Sequence, residues 1–282
     1  MTTTTKDPNR VLWEARARGE QLPAWETLAT EPEGIEAETV DVPAGLWLRP
    51  PGAPAGPVIL AIHGGGFVGG SATTHRRMFG HLARAAGVGT FAVEYGLVPE
   101  HVFPGQLDTV VAAYRWLLDN GAGPIGVAGD SCGATLAVGL AVRVREEGLP
   151  RPASLVLMSA WTDLEAGGAS YDAGSDPFFT RDLVRGLAAG YLAGADPRDP
   201  LAAPVHADLR GLPPTCLQVG AEEALLDDSR RLAERMRARG VEVRLDEFPD
   251  QVHTFQMAAG RTTVADDAIR EAGSWLRSTL VR

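Results

Sequence analysis

Gly129-Asp130-Ser131-Cys132-Gly133 stands between the apolar run Pro124-Ile125-Gly126-Val127-Ala128 and the stretch Ala134-Thr135-Leu136-Ala137-Val138. Strand, G-x-S-x-G turn and helix in that order restrict the folds open to this chain. The turn is tight and strained, and side chains at its two glycines would collide with neighbouring elements. It holds a serine Oγ at the carboxyl end of a strand, above the first amides of a helix.

A second motif lies upstream. The run Pro57-Val58-Ile59-Leu60-Ala61-Ile62 has the continuous apolar character of a strand buried on both faces. It ends in His63-Gly64-Gly65-Gly66-Phe67, then Val68-Gly69-Gly70. Acyl transfer through serine builds negative charge on a carbonyl oxygen, so backbone N–H groups must point at that spot. A glycine run lets the main chain approach without a Cβ in the way. A flexible loop or a phosphate cradle would use the same composition. Against the cradle, no G-x-x-x-x-G-K-[ST] and no G-x-G-x-x-G opens a helix here.

A serine nucleophile needs a base, and the base an orienting carboxylate. Of the six histidines, His253 lies in a loop after the expected strand at 241–248 and before the last helix. That is the base position when the chain order is serine, acid, histidine. His75 and His81 fall in a helical stretch as surface or packing residues. His101 and His206 sit in loops beside prolines, and His63 braces the glycine loop. Four carboxylates compete for the acid role after the strand at 214–219: Glu222, Glu223, Asp227 and Asp228. A position just past the strand end favours the two glutamates. The aspartates read as first-turn helix residues that complement the macrodipole.

Together these motifs resemble the hormone-sensitive-lipase family of α/β hydrolases, the bacterial family IV esterases. Tyr95-Gly96-Leu97-Val98-Pro99-Glu100-His101-Val102-Phe103-Pro104 is similar to the family's Y-R-L-A-P-E-x-x-F-P segment. Ser159-Ala160-Trp161-Thr162-Asp163-Leu164 is similar to its S-P-W-x-D-L segment. The resemblance spans roughly residues 40–280. It implies a triad of Ser131, Glu223 and His253, because Glu223-Ala224-Leu225-Leu226-Asp227 aligns with the family's D-P-L-x-D stretch. It implies an oxyanion hole from Gly64, Gly65, Gly66 and the Cys132 amide. Two departures stand out: Cys132 follows the nucleophile in place of the usual small residue, and Gly96 replaces an arginine. Any residue but proline can donate its amide. The Cys132 thiol is expected to narrow the pocket or to confer sensitivity to thiol reagents.

Alternating strands and helices from residue 58 onward argue for a mostly parallel sheet covered on both faces. Strands are expected near 58–62, 88–94, 124–128, 153–158, 214–219 and 241–247. Helices are expected near 73–86, 105–119, 132–147, 226–239 and 264–279. An amphipathic helix at 7–18, a second at 23–30 and a hairpin of 35–42 with 46–49 precede them. The stretch 165–214 breaks the alternation over about 50 residues, too long for a plain connection. The reading is an α/β-hydrolase fold with N-terminal cap helices (1–34), a core (35–164 and 215–282) and a cap insertion (165–214). Ligands in such folds bind outside the strand carboxyl ends, so Phe67, Phe178, Phe179 and Tyr191 are candidate substrate-binding residues.

Composition narrows the function. The chain has 282 residues, 45% of them hydrophobic, and a net charge of −10. An acidic chain is a poor partner for nucleic acid and anionic membranes. The two cysteines suggest no disulfide framework, and no C-x-x-C or H-E-x-x-H implies a metal. No cofactor is called for. Met1-Thr2-Thr3-Thr4-Thr5-Lys6-Asp7 has no apolar h-region, and no stretch approaches 18 apolar residues. A cytoplasmic enzyme is expected, with a homodimer left open. The expected activity is serine hydrolysis of small, short-to-medium acyl esters through an acyl-enzyme. A lactone hydrolase, or an acyltransferase or biosynthetic hydrolase, would use the same triad. A non-catalytic ligand-binding member is disfavoured because all three triad residues can be named.

Overall fold

In the computed structural model, residues 7–20 and 24–281 are described; the opening Met1–Lys6 stretch therefore lies outside the described residues. Among the described residues eight strands form one sheet: β1 (Glu36–Asp41), β2 (Ala44–Arg49), β3 (Val58–Ile62), β4 (Gly89–Val93), β5 (Ile125–Asp130), β6 (Ser154–Met158), β7 (Thr215–Gly220) and β8 (Val243–Phe248). Their order is β1-β2-β4-β3-β5-β6-β7-β8. β2 runs antiparallel to both β1 and β4, and every other pair is parallel. Strands β3 to β7 are buried along their length, which explains their unbroken apolar runs. The edge strand β8 is half exposed.

Among the described residues seven α-helices accompany the sheet: α1 (Pro8–Ala17), α2 (Ala72–Ala86), α3 (Gly105–Asp119), α4 (Cys132–Glu146), α5 (Arg181–Leu192), α6 (Leu226–Arg237) and α7 (Thr263–Leu280). Strand alternation sorts the core into two layers. Leu60, Ile62, Val127 and Leu157 face residues of α3, α4 and α6. Ile59, Ala61, Ala128 and Val156 face residues of α1, α2 and α7. Caps set the helix ends. Ser71 and Thr74 form a capping box on α2, and Gly87 closes it in the left-handed region.

The expected elements match the observed ones within a few residues, except at two places. The hairpin turns on Val42-Pro43 alone, with Ala44 and Gly45 already in β2. Of the helix expected at 23–30, the described part is one 3₁₀ turn, Trp25–Thr27; residues 21–23 lie outside the described set. Beyond that turn the Thr30 N–H donates to Ala259 O (2.9 Å), so this backbone is drawn into a tertiary bond instead of a further helical turn. The stretch 165–214 carries α5 between short 3₁₀ turns at Ala169–Asp172 and Pro204–His206.

The topology fixes where a ligand can sit. β4 follows β3 on one side and β5 lies on the other, so the chain reverses direction across the sheet at β3. The loops after β3 and β5 diverge there and leave a crevice at the strand carboxyl ends. Ile62 is level with Gly129, and Asp130 with Met158. Among the described residues no helix is long and apolar enough to cross a membrane.

Candidate active site

Ser131 leaves β5 with φ 52° and ψ −120°, a conformation that costs energy for a residue with a Cβ. Close contacts hold it there. A Cβ on Gly129 would lie 2.4 Å from Gly133 O, and one on Gly133 would lie 2.2 Å from Ile62 O. Both positions require glycine for space. The Ser131 N–H donates to Met158 O (2.9 Å), and its carbonyl accepts from Trp161 N (3.2 Å). Cys132 opens α4, so its amide is among the first donors of that helix and has no carbonyl of its own helix to bond.

The candidate base and acid arrive from the ends of β8 and β7. His253 Nε2 lies 3.0 Å from Ser131 Oγ, and His253 Nδ1 lies 3.0 Å from Glu223 Oε2. The other carboxylate oxygen accepts the Gly220 N–H (2.6 Å) and the Ser159 hydroxyl (2.7 Å). Ser159 Oγ in turn accepts the Thr254 N–H (2.9 Å), which ties the histidine loop to the acid. Sequence reasoning left Ser159 without a role. The histidine's own carbonyl is held from α1, by Asn9 Nδ2 (2.6 Å) and Trp13 Nε1 (2.8 Å). Ser131, Glu223 and His253 are all buried.

The other three carboxylates of the loop are engaged elsewhere. Glu222 reaches outward to Arg10 (2.6 Å). Asp227 accepts the Ser170 N–H (3.0 Å). Asp228 is more than a solvated first-turn residue: it is buried and accepts the amides of Thr162 (2.8 Å) and Asp163 (2.9 Å). Burial pushes its carboxyl up to about 7.

The glycine loop corrects one expectation. The Gly64 N–H donates to Asp130 Oδ1 (3.0 Å), so it is committed away from a substrate oxygen. Gly65, Gly66 and the Cys132 amide remain as candidate oxyanion donors. Gly65 has φ 123°, and a Cβ there would meet Gly69 O at 2.1 Å. The second Asp130 oxygen lies 3.4 Å from Nε2 of His75, which is buried and lines the cleft instead of the surface. His63 does brace backbone. Its Nδ1 sits 2.8 Å from Gly64 O, and its ring stacks on Tyr95, whose hydroxyl donates to His63 O (2.6 Å).

Both departures from the family pattern have a steric setting. A Cβ on Gly96 would lie 2.1 Å from the His101 ring, so this loop excludes any larger residue. The Cys132 thiol points away from the cleft lining, accepts the Phe67 N–H (3.4 Å) and is pushed up to about 12 by burial. It neither narrows the cleft nor offers a thiolate.

A cleft lined mostly by apolar side chains opens over Ser131. Phe178 and Phe179 line it as expected. Phe67 and Tyr191 do not. They stack on each other at 3.6 Å in the core, fully buried, because Phe67 turns inward at φ 63°. Leu12, Trp13, Arg16, Trp25, Leu183 and Leu187 complete much of the lining and were not singled out in the sequence. For Leu12, Trp13, Leu183 and Leu187 the sequence signal is the apolar face of α1 and α5. Among the described residues the one grouping with metal-ligand spacing is Asp163, Glu165 and His206. Asp163 already holds Arg231 and the amides of Glu165 and Gly167.

Residues 59–257 match the profile of the α/β-hydrolase fold family. An acetyl-hydrolase of Streptomyces hygroscopicus is 41% identical over 237 residues, 82% of this chain and 79% of the relative. An esterase from the bacterial hormone-sensitive lipase family superposes with a TM-score of 0.91 at 39% identity, covering 99% of this chain and all of that one. EstE5, solved after soaking with p-nitrophenyl butyrate, superposes at 0.89 with 35% identity over 99% of this chain and all of its own. With a matching profile over most of its length and relatives this similar, the chain belongs to the hormone-sensitive-lipase family of α/β hydrolases.

Proposed function

We propose that the protein is a serine carboxylic-ester hydrolase for small, short-to-medium acyl esters, working through an acyl-enzyme. The carrying observation is the continuous pair of 3.0 Å hydrogen bonds from Ser131 Oγ through His253 to Glu223 at the floor of an apolar cleft. His253 takes the Ser131 proton as Oγ attacks the ester carbonyl. The oxyanion rests on the amides of Gly65, Gly66 and Cys132, each worth roughly 3–4 kcal/mol of barrier, or about 100- to 1,000-fold in rate. His253 then protonates the departing alcohol. Water, activated by the same imidazole, attacks the acyl carbonyl and frees Ser131. Glu223 holds Nδ1–H, fixes the tautomer and stabilises the imidazolium.

The cap reading belongs to the same proposal. Trp13 and Trp25 from residues 1–34, and Phe178, Phe179, Leu183 and Leu187 from 165–214, roof the cleft over a core of 35–164 and 215–282. A roof this close favours short acyl groups. Each methylene gains about 0.8 kcal/mol while it can be buried and loses affinity once it clashes. The test is hydrolysis of p-nitrophenyl esters from C2 to C16. A burst of p-nitrophenol, kcat/KM peaking between roughly C2 and C8 and a steep fall by C12 are expected. Activity that climbs through C16 would overturn the size claim, and an acid-to-transfer-product ratio under a fixed competing alcohol that changes with the ester's leaving group would overturn a common acyl-enzyme. Competing alcohols distinguish hydrolysis from acyl transfer, and lactones test the cyclic alternative. A cytoplasmic location completes the reading, with a homodimer left open. Cell fractionation and sedimentation measure them.

A further inference from the structure

One charged side chain stands in the aromatic half of the cleft. Arg16, near the end of α1, lines the same cavity as Ser131 and His253. Its guanidinium carbon lies 5.9 Å from the Trp13 ring centre, 5.7 Å from Trp25 and 5.3 Å from Phe178. Two other arginines are paired with carboxylates. Arg10 meets Glu222 at 2.6 Å, and Arg181 meets Asp172 at 2.6 Å. Arg16 has no carboxylate and no hydrogen-bond acceptor among the described residues.

Three ring faces attract a cation but accept none of the in-plane N–H bonds, of which a guanidinium offers five. Burial against the rings lowers the Arg16 pKa, yet an arginine stays charged under any working condition. The other charge in the cleft, Asp130, is already occupied by the Gly64 amide and His75. A half-buried guanidinium with no protein acceptor leaves its in-plane N–H groups open to an anion of planar, two-oxygen geometry. The chain's net charge of −10 does not forbid one, because repulsion from the surface is screened beyond about 10 Å at 0.1 M salt.

We propose that Arg16 is a specificity-determining residue that binds a carboxylate carried by the substrate, so that hemiesters of dicarboxylic acids are preferred over neutral esters. The inference rests on the serine-esterase reading and deepens it. The carboxylate docks as a bidentate partner of the guanidinium while the ester carbonyl lies over Ser131. Which spacer fits is set by the distance from Arg16 to the serine.

The experiment compares monomethyl succinate, glutarate and adipate with methyl butyrate, valerate and hexanoate in a pH-stat. At least one hemiester should exceed its neutral counterpart in kcat/KM. Arg16→Met should lower that ratio about tenfold or more, mainly through KM, and Arg16→Lys should retain part of it. A readout on the unaltered protein guards against misfolded variants: free glutarate should inhibit methyl valerate hydrolysis competitively, and more weakly at high salt. A hemiester ratio unmoved by Arg16→Met, or no inhibition by any dicarboxylate, overturns the proposal. Failure to hydrolyse the neutral esters as well would instead count against the esterase reading.

Discussion

The floor and the roof of the cleft are built differently. On the floor, Ser131, His253 and Glu223 project from the ends of three parallel strands, and both Glu223 oxygens are occupied by named donors. Positive φ angles at Ser131, Ser159 and Thr254 are imposed by that packing. On the roof, Trp13, Trp25, Phe178 and Phe179 meet one another ring to ring, with centroid separations of 5.0–6.4 Å. A floor of directional bonds holds one geometry. A roof of dispersion contacts can re-pack around different ligands at small cost. The proposed reading assigns chemistry to the first and selectivity to the second. Asn9 and Trp13, which reach from α1 to the His253 carbonyl, are where the two regions meet.

Substitutions rank accordingly. Ser131→Ala should lower kcat by roughly 10⁴- to 10⁶-fold with the fold intact. An organophosphate should add one group to the parent protein, mapping to Ser131; labelling that persists in the variant would break the assignment. Glu223→Ala should lower kcat by about 10³- to 10⁴-fold. Glu222→Ala, which cuts only a partly exposed ion pair, should stay within about threefold. If Glu222 proves the severe one, the floor as drawn is wrong.

The junction gives smaller effects. Trp13→Phe keeps the ring and removes the indole donor to His253 O, and should reduce kcat up to about tenfold, the worth of one buried hydrogen bond. An effect on KM alone would mean that Trp13 belongs purely to the roof.

Below the floor, Asp228 has a folded pKa of about 7 against an ordinary 3.8. The folded state then holds a proton that the unfolded chain releases. The part of the stability that Asp228 contributes should be full below pH 4 and be lost as pH rises through 7. Asp228→Asn should flatten that decline in chemical denaturation; an unchanged slope would assign it elsewhere. The smallest effect expected is none: iodoacetamide at pH 8 should leave activity intact, since Cys132 is buried with a thiol pushed up to about 12. Rapid inactivation with alkylation at Cys132 would mean that the floor opens in solution.

Much of the floor was legible in the amino-acid order. Gly129 is a local steric requirement of the turn, crowded by Gly133 O, and such requirements are written in adjacent residues; Gly133 is required by Ile62 O on the neighbouring strand and is legible only through the motif. The alternation of apolar runs with helical stretches likewise carried the parallel sheet, because a strand buried on both faces must be apolar throughout. Glu223 could be separated from Glu222 only through the resemblance to known hydrolases, since adjacent carboxylates differ in direction, not in composition. Tertiary structure alone decided the rest. It consumed the Gly64 amide on Asp130, buried His75, turned Phe67 and Tyr191 into the core and set Arg16 among three rings. Each of those outcomes depends on which distant side chain arrives at a point in space. That meeting is set by packing between segments far apart in the chain, and no local pattern encodes it.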